Sequence, residues 1–372
     1  MSFPMILAND FRRQWDETRE DALQVFDQVG ARGWFVLGRE VREFEQALAS
    51  FWGLEHAVGV GSGMDAIEIS LRVLGCAPGD RVLTTPLSAF ATTLAIVRIG
   101  AIPVFVDTDE HGLVDLARCR DFLRQRPGVR HFVPVHLYGH SLPVPELRRM
   151  REAFGLKLVE DCAQSIGADF QGEAPGSAGQ LAATSFYPTK NLGAMGDGGA
   201  ILCRDAELDA RVRALRDYGQ TAKYRHEFLG YNSRLDELQA AFLLHAILPR
   251  LEQWTRRRRE IASAYVQGIR HGDVRVPGAP HGSNSCWHLF PVFVPPERRD
   301  RFLEYLKAAG VEAGLHYPTA IPDQPALGTV PFELADECAV ARRLCRSEVS
   351  LPVHPFLTGT EVARVIEAVN AW

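Results

Sequence analysis

The chain has 372 residues, of which 46% are apolar and 23% charged, with a formal net charge of -5 and a pI of about 6.2. This is an ordinary globular composition with enough length for about two domains. The acidic balance excludes a general electrostatic attraction to nucleic acid. No apolar run approaches the roughly 20 residues of a membrane-spanning helix, so we predict neither nucleic acid nor membrane as a partner.

The N-terminus and the cysteines indicate the cellular compartment. Residues 1–15 lack the apolar core of a signal peptide. The seven cysteines are scattered, with no C-x-x-C pair, which argues against structural disulfides and a zinc knuckle. We therefore expect free thiols, no metal site and a cytoplasmic location.

Helical and strand-like segments alternate along the chain. Apolar spacing predicts helices over 16–30 and 39–52. The apolar segment 33–38 between them is interpreted as a buried connector, and a surface that lies against a neighbour is the alternative. The predicted strands that follow are 56–61, 81–86, 101–107, 131–139 and 156–161, and the helices between them are 66–75, 90–100, 115–126 and 144–155. This alternation predicts βαβ units, and hence an α/β fold with a mostly parallel sheet.

The character of the sequence changes near Pro249. Residues 205–248 are predicted to be mainly helical, with a loop over 219–234. In contrast, 254–269 are predicted to form a long charged helix, and later strands, such as 286–295, are short and flanked by proline. We therefore predict a large domain over 1–249 and a smaller C-terminal α/β domain over 250–372. Four consecutive arginines, 256–259, are interpreted as a solvated helix face.

Two charged residues stand at the ends of neighbouring strands, where ligands of parallel sheets bind. Lys190 follows an apolar segment and precedes four glycines. Partial desolvation would lower the pKa of its amine, which could form a Schiff base with a carbonyl cofactor; a surface lysine is the alternative. Asp161 closes an apolar strand, and a protonated pyridine nitrogen could be the cation that a buried carboxylate needs. A helix cap is its alternative role.

A turn of small residues follows the first strand. Ser62, Gly63 and Met64 lie between a strand and a helix start, where free backbone N–H groups can bind a phosphate. A plain strand-to-helix turn is the alternative. The turn is not a dinucleotide fingerprint, because Met64 stands where the third glycine would be needed.

Several motifs, in this order, resemble one known family. They are LVEDCAQSIGA (158–168), SFYPTKNLGAMGDGGAI (185–201), GYNSRLDELQAA (230–241), HYP (316–318) and SLPVHP (350–355). Over nearly the whole chain the sequence resembles the DegT/DnrJ/StrS family of pyridoxal phosphate-dependent sugar aminotransferases. The resemblance implies an aspartate-aminotransferase-like fold (fold type I), pyridoxal 5'-phosphate as cofactor, and a homodimer with shared active sites.

The resemblance also implies roles for individual residues. Lys190 would be catalytic and hold the cofactor as a Schiff base. Other cofactor contacts would be Asp161 to the ring nitrogen, Gln164 to the ring hydroxyl, Phe90 stacked on the ring, Ser62, Gly63, Met64 and Ser185 on the phosphate, and Asn232 on the phosphate from the partner subunit. Tyr187, Arg234 and Tyr317 are candidates for substrate contacts.

The substrate is predicted only by subgroup. The implied reaction moves an amino group from glutamate to a nucleotide-linked keto-deoxysugar. The run KNLGAMGDGG (190–199) resembles enzymes acting at C3 of dTDP-3-keto-6-deoxyhexoses, but the segment after HYP, TAIPDQPA, lacks the histidine that the family often carries there. A 4-keto nucleotide sugar or a cyclitol ketone remains an alternative acceptor. From another class, a nicotinamide-dependent oxidoreductase remains an alternative function.

Overall fold

Strands and helices alternate through residues 4–372, the part of the chain that this computed structural model describes. The helices are α1 (Phe11–Arg32), α2 (Arg39–Trp52), α3 (Gly63–Val73), α4 (Phe90–Arg98), α5 (Leu116–Gln125), α6 (Val144–Phe154), α7 (Ala206–Arg216), α8 (Glu237–Phe242), α9 (Leu251–Gly268), α10 (Arg299–Ala308), α11 (Ala339–Ser347) and α12 (Gly359–Asn370). The strands are β1 (His56–Val60), β2 (Arg81–Thr84), β3 (Ile102–Phe105), β4 (His131–Phe132), β5 (Lys157–Asp161), β6 (Asp169–Phe170), β7 (Leu181–Ser185), β8 (Gly199–Cys203), β9 (Gln220–Ala222), β10 (Arg225–His226), β11 (Ser283–Asn284), β12 (Phe290–Phe293), β13 (Glu333–Leu334) and β14 (Glu348–Leu351).

A twisted sheet in the order β1-β8-β7-β5-β4-β2-β3-β13 is the centre of the fold. Its neighbours pair in parallel except at β8, which is antiparallel to both β1 and β7. Strands buried along their length, such as β8, have helices on both faces. The α/β fold with a mostly parallel sheet is thus confirmed.

Local sequence explains where the helices beside the site begin. Ser62 caps α3 by accepting the Asp65 N–H at 3.1 Å, and its extended backbone ends the preceding strand. Helix α2 buries an apolar stripe at helical spacing, Val41, Phe44 and Leu48, and stops at Gly53, whose φ of 69° suits glycine. These helices pack on opposite faces of the sheet, as different apolar clusters surround them.

Two predicted segments have different secondary structure. The segment 131–139 was predicted as one strand, but the strand stops at Phe132 and Leu137–Gly139 form a 3-10 turn. Pro134 explains the early stop, because proline has no N–H for a sheet ladder. Within 205–248 the predicted loop at 219–234 does separate two helices, α7 and α8, but it contains a β9–β10 hairpin.

The C-terminal part has its own apolar core. Strands β12 and β14 pair antiparallel, and α9, α10 and α12 contribute to a cluster that also includes Ile6 from the N-terminal end. Residues Glu237–Gly268 are helical throughout, with a π turn at Leu243–Ile247 and a 3-10 turn at Leu248–Arg250. The predicted domain boundary at 249/250 would lie inside this helical segment, and we keep the two-domain division as a proposal.

The interpretation of 33–38 as a buried connector is wrong. Trp34, Phe35 and Val36 are 64%, 52% and 42% exposed. The described chain leaves large parts of these three apolar side chains exposed. The seven cysteines are free, buried thiols. Within residues 4–372, no helix combines the length and the hydropathy needed to cross a bilayer.

Candidate active site

A cavity of about 670 Å³ opens at the carboxyl edge of the sheet. One wall comes from the strand ends predicted above and the other from the C-terminal part of the chain. The predicted residues that line it are Ser62, Gly63, Met64, Asp161, Ser185, Tyr187, Lys190 and Tyr317. Residues far apart in the sequence therefore meet here because parallel strands end at one edge.

Lys190 lies in the turn that joins β7 to β8. Its backbone N–H donates to the Tyr187 carbonyl at 2.8 Å, which fixes the turn. Burial lowers the pKa of its amine to about 8, and the attraction of Asp161 only partly opposes that shift. Among the described residues, no carboxylate oxygen lies within 4.0 Å of the amine nitrogen. The amine is therefore partly neutral near pH 8 and available as a nucleophile or base.

Asp161 is a buried carboxylate at the end of β5. It accepts a hydrogen bond from the Thr92 hydroxyl at 2.8 Å and another from the Ala163 N–H at 3.1 Å. Burial raises the pKa of the carboxyl group, although Thr92, Ala163 and Lys190 counteract it. Within the described chain it has no ion pair at 4.0 Å or less. A protonated ring nitrogen would supply the missing cation.

The start of α3 forms a cradle for an anion. Its first-turn N–H groups have no helical acceptors, and Gly63 packs so closely on β7 that a Cβ there would lie 2.6 Å from the Ser185 Cβ. Ser62, Gly63, Met64 and Ser185 all line the cavity. A phosphate suits this position, because backbone donors and the helix dipole both favour negative charge.

The opposite wall contains residues that sequence reasoning missed. Arg258, which was predicted to lie on a solvated face, is buried and lines the cavity. The interpretation is therefore wrong for this residue, whereas the Arg256 side chain is 67% exposed. Its guanidinium reaches the carbonyls of Trp287 and Val353 at 3.4 and 3.2 Å, and burial lowers its pKa to about 10. Its spacing from the buried Trp254 and Ile261 was the available signal, because it places Arg258 on their apolar face.

Three histidines, His288, His316 and His354, complete this wall. Burial, reinforced by Lys190, lowers the pKa of His288 well below its ordinary value and that of His316 to about 4, so both imidazoles are neutral at physiological pH. The Nδ1 of His288 lies 3.3 Å from the Oδ1 of Asn191, the residue next to Lys190 in the chain.

Thr92, the donor to Asp161, is another residue of the site that the sequence did not predict, although it follows Phe90 by two residues.

Four predicted residues do not line the cavity. Phe90 packs against a cluster around Phe105 and Ile321, although its neighbours Ala89 and Ala91 line the cavity. Gln164 accepts the Tyr138 N–H at 2.7 Å and donates to the Tyr317 hydroxyl at 3.3 Å.

The other two lie on the outer surface. Asn232 is exposed and pairs with Asp217 in an isolated bridge. Arg234 makes an ion pair with Asp217 at 2.9 Å and stacks over the Tyr218 ring. The roles implied for these four residues stay predictions.

Two groups of potential metal ligands occur among the described residues, both outside the cavity. They are Cys76 with Asp80 and His131, and Glu40 with Glu43 and His245. His136, a further strand-end residue, is buried against Glu160 with 2.9 Å between Nε2 and Oε2. Neither group of potential metal ligands lines the cavity, whereas the His136 backbone N–H donates to the Asp161 carbonyl at 3.0 Å.

Comparison with known proteins agrees with this geometry. A profile described as the DegT/DnrJ/EryC1/StrS aminotransferase family matches residues 16–370. Over 372 residues the chain is 39% identical to dTDP-3-amino-3,4,6-trideoxy-alpha-D-glucose transaminase of Streptomyces venezuelae, covering 99% of this chain and 96% of the relative. It is 37% identical to dTDP-3-amino-3,6-dideoxy-alpha-D-galactopyranose transaminase of Aneurinibacillus thermoaerophilus, with 99% of both chains covered.

Solved structures are similar over the whole chain. The crystal structure of S. venezuelae DesV in complex with a ketimine intermediate superposes with a TM-score of 0.93 at 39% identity, covering 100% of this chain and 99% of that one. NtdA from Bacillus subtilis, solved with bound cofactor PMP, has a TM-score of 0.90 at 26% identity, covering 99% of this chain and 85% of that one. The aspartate-aminotransferase-like fold is confirmed by these neighbours.

Proposed function

Because the chain belongs to the DegT/DnrJ/EryC1/StrS aminotransferase family, we propose that it transfers an amino group from glutamate to C3 of a dTDP-linked keto-deoxysugar. The observation that carries the reaction class is the meeting of Lys190 and Asp161 at one cavity with an anion cradle. The family resemblance of the motifs is confirmed, and the chain is a sugar aminotransferase.

The cofactor is pyridoxal 5'-phosphate, and the site fits it. Ser62, Gly63, Met64 and Ser185 would hold the phosphate, while Asp161 would face the ring nitrogen and keep it protonated. When bound, the cofactor supplies an electron sink and carries the amino group between the two substrates. The solved NtdA neighbour, which binds PMP, supports this choice.

Lys190 is the residue that we propose moves protons. Its amine, with a pKa of about 8, can accept a proton from a carbon acid and return it to an adjacent position without leaving the cavity. Burial favours the neutral form of the amine, and the attraction of Asp161 keeps the pKa of the amine from falling further. The imidazoles of His288 and His316 are neutral, so they add no further positive charge beside the amine.

Acceptor choice rests on the two relatives together. Both act on dTDP-linked sugars aminated at C3, and they differ in the rest of the sugar ring. This supports a dTDP-3-keto acceptor, in agreement with the subgroup resemblance of the glycine-rich run after Lys190.

A homodimer with shared sites is part of the proposal. Trp34, Phe35, Val36, Met195 and Leu238 are each at least 40% exposed, and we call them the apolar patch. Its members meet around α8: the Phe35 carbonyl accepts the Glu237 N–H, and the Met195 N–H donates to Gln239. Because Met195 belongs to the turn that carries Lys190, a partner covering the patch would adjoin the site.

Free cysteines support our further proposal of a cytoplasmic location.

The test uses purified protein with its cofactor and a panel of keto-sugars. We expect a yellow protein whose absorbance changes with glutamate, and turnover with dTDP-3-keto-6-deoxyhexoses that exceeds turnover with 4-keto nucleotide sugars and cyclitol ketones. Lys190→Ala should fold but lose turnover. A colourless protein that binds NADH would contradict the aminotransferase assignment, and preference for a 4-keto acceptor would contradict C3 amination.

A further inference from the structure

Arg258 is a buried cation in the cavity wall. The residue is 6% exposed, and burial lowers the pKa of its guanidinium to about 10. Among residues 4–372, no carboxylate oxygen lies within 4.0 Å of the guanidinium nitrogens. The group that opposes the shift is the Cys286 thiol, not a carboxylate. A buried charge is costly without a partner, and the described chain gives this cation no counterion.

Two side chains that share the wall with Arg258 are neutral. Burial, with the positive charge of Arg258 as a further cause, lowers the pKa of His354 to about 4 and that of His288 well below its ordinary value. Both imidazoles line the cavity. An anion bound at Arg258 would therefore meet no negative charge from these two neighbours.

Backbone carbonyls fix the guanidinium and leave one edge of it free. Nη1 donates to the carbonyls of Trp287 and Val353, which belong to separate segments of the chain. Within residues 4–372, Nε and Nη2 have no hydrogen-bond partner. These two nitrogens form the edge whose parallel N–H groups bind both oxygens of one carboxylate. The contacts of Nη1 thus orient the guanidinium without using this edge.

Arg258 adjoins the reacting end of the cavity through His288. After burial, the positive charges of Lys190 and Arg258 are the next causes that lower the pKa of His288. The Nδ1 of His288 lies 3.3 Å from the Oδ1 of Asn191, next to Lys190 in the chain, and Trp287 precedes His288. An anion at Arg258 would therefore lie on the wall that faces the reacting amine.

The burial of Arg258 favours a terminal anionic group. A nucleotide diphosphate is bonded on both sides, to a sugar and to a nucleoside, so it needs an open approach to its ligand. A carboxylate ends a molecule, and its two oxygens match the Nε and Nη2 donors. The cofactor phosphate has its proposed cradle at the start of α3, on the opposite wall. A carboxylate is therefore the anion that fits Arg258 best.

We propose that Arg258 binds a carboxylate of the amino donor through Nε and Nη2. The donor is the substrate that brings a carboxylate, whereas a dTDP-3-keto-6-deoxyhexose has none, so the contact belongs to the donor half of the reaction. This inference rests on the proposed function, because it takes an amino acid as the first substrate.

The experiment separates the two half-reactions of the holoenzyme. Stopped-flow absorbance follows L-glutamate with the resting enzyme, and a dTDP-3-keto-6-deoxyhexose with enzyme loaded with PMP. For Arg258→Met we expect the apparent affinity for L-glutamate to fall about 10- to 100-fold, the size of a hydrogen bond to a charged group. The keto-sugar half-reaction should stay within twofold of wild type.

Two further variants separate the contact from a packing role. Arg258→Lys keeps the buried charge but lacks the paired donors, so its loss of affinity for L-glutamate should be smaller, about threefold to tenfold. This variant decides the question if Arg258→Met does not fold. Arg256→Met is the matched control on the same helix, at a side chain that is 67% exposed, and should change neither half-reaction.

A donor series identifies the carboxylate. γ-Aminobutyrate keeps only the side-chain carboxylate of glutamate, and L-glutamine keeps only the α-carboxylate. Their apparent affinities are measured as substrates or as competitors of L-glutamate. A loss in Arg258→Met with L-glutamine but not with γ-aminobutyrate would assign the contact to the α-carboxylate, and the reverse would assign it to the side-chain carboxylate. Equal losses with all three donors would overturn the proposal.

The remaining outcomes distinguish Arg258 from the proposed function. Equal losses in both half-reactions, or a larger loss with the keto-sugar, would overturn the donor contact and leave the transaminase intact. A wild type that accepts amino groups only from another amino acid would contradict glutamate as donor, and the same variants with that amino acid would then judge Arg258. A wild type that accepts amino groups from no amino acid would overturn both.

Discussion

Lys190 and Asp161 share a cavity that disfavours the charge of each. Burial lowers the pKa of the lysine and raises that of the aspartate, and their mutual attraction opposes both shifts. The balance leaves a lysine that can be neutral near pH 8 beside an aspartate that still needs a cation. A protonated ring nitrogen at Asp161 would supply the cation that this carboxylate needs, and it would leave the Lys190 amine free to be neutral.

The pKa of Lys190 predicts how cofactor capture depends on pH. Only the neutral amine attacks a carbonyl, and below a pKa of about 8 the neutral fraction falls tenfold per pH unit. Covalent capture by the apo-protein, followed by absorbance, should therefore slow tenfold from pH 7 to pH 6 and level off above pH 9. Asp161→Asn should move the midpoint lower, because it removes the attraction that favours the ammonium. A wild-type midpoint near 10 would contradict the buried position of Lys190.

Thr92 provides a sharper test of Asp161. Thr92→Val removes the hydroxyl donor, so the ionised carboxylate loses one hydrogen bond and its pKa rises further. We expect turnover to fall about tenfold with the cofactor still bound.

Thr93→Val is the matched control for Thr92→Val. The Thr93 hydroxyl is buried without a hydrogen-bond partner, so its loss should leave turnover unchanged and should not reduce the free energy of unfolding. Equal effects of the two variants on turnover would show that the Thr92–Asp161 contact does not matter.

At the scale of elements, the contact between α3 and β7 shapes the phosphate cradle. Gly63→Ala would place a Cβ 2.6 Å from the Ser185 Cβ and force the helix start away from the strand. We expect the free energy of unfolding to fall by about 1–3 kcal/mol and cofactor affinity to fall as the N–H groups move. Denaturant unfolding and cofactor titration measure the two effects.

Gly30→Ala is the matched control for that substitution. Gly30 lies inside α1, and a Cβ there would meet no atom within 4 Å. The same chemical change should therefore stabilise the protein by up to about 1 kcal/mol, the difference in helix propensity, without changing cofactor affinity. Destabilisation by Gly30→Ala, or a neutral Gly63→Ala, would refute the packing argument.

The elements also show what sequence alone could predict. Strand alternation placed Lys190, Asp161, Ser185 and Ser62 at one edge, because the carboxyl ends of parallel strands meet whatever their separation in the chain. Arg258 and His316 could not be placed in the same way, since they reach the cavity from a region whose docking depends on long-range packing. Their local patterns show which face is buried, but not against what.

For the whole molecule, the largest mismatch between sequence and monomer is the apolar patch. Residues 33–38 have a core-like composition, yet Trp34 is 64% exposed. An apolar pattern indicates a surface that avoids water but not which chain would cover it, so a core and the proposed interface have the same pattern in the sequence. Asn232 poses the same problem: its implied contact lies in another subunit, and in the described chain it is a surface residue.

Trp34→Asp tests the homodimer. A charge in a covered apolar surface must be desolvated, so we expect dissociation to monomers and loss of turnover at the same protein concentrations. Sedimentation velocity and activity should change together. Val266→Asp, at a side chain that is 40% exposed on α9 and outside the patch, should leave both unchanged. A Trp34→Asp protein with the wild-type mass and full activity would rule out the patch as the interface.

The antiparallel strand β8 has a kinetic consequence. Because β7 and β8 pair directly, from Ser185 opposite Gly199, the turn bearing Lys190 closes a short loop, whereas every parallel pair must wait for a crossover. The turn is also tight, since a Cβ on Gly193 would lie 2.4 Å from the Pro188 carbonyl oxygen. Contacts of low sequence separation form early in folding. In pulse labelling, the amides of β7 and β8 should therefore gain protection from hydrogen exchange before those of β2 and β5. The turn that carries Lys190 would then form before β5 brings Asp161 next to it.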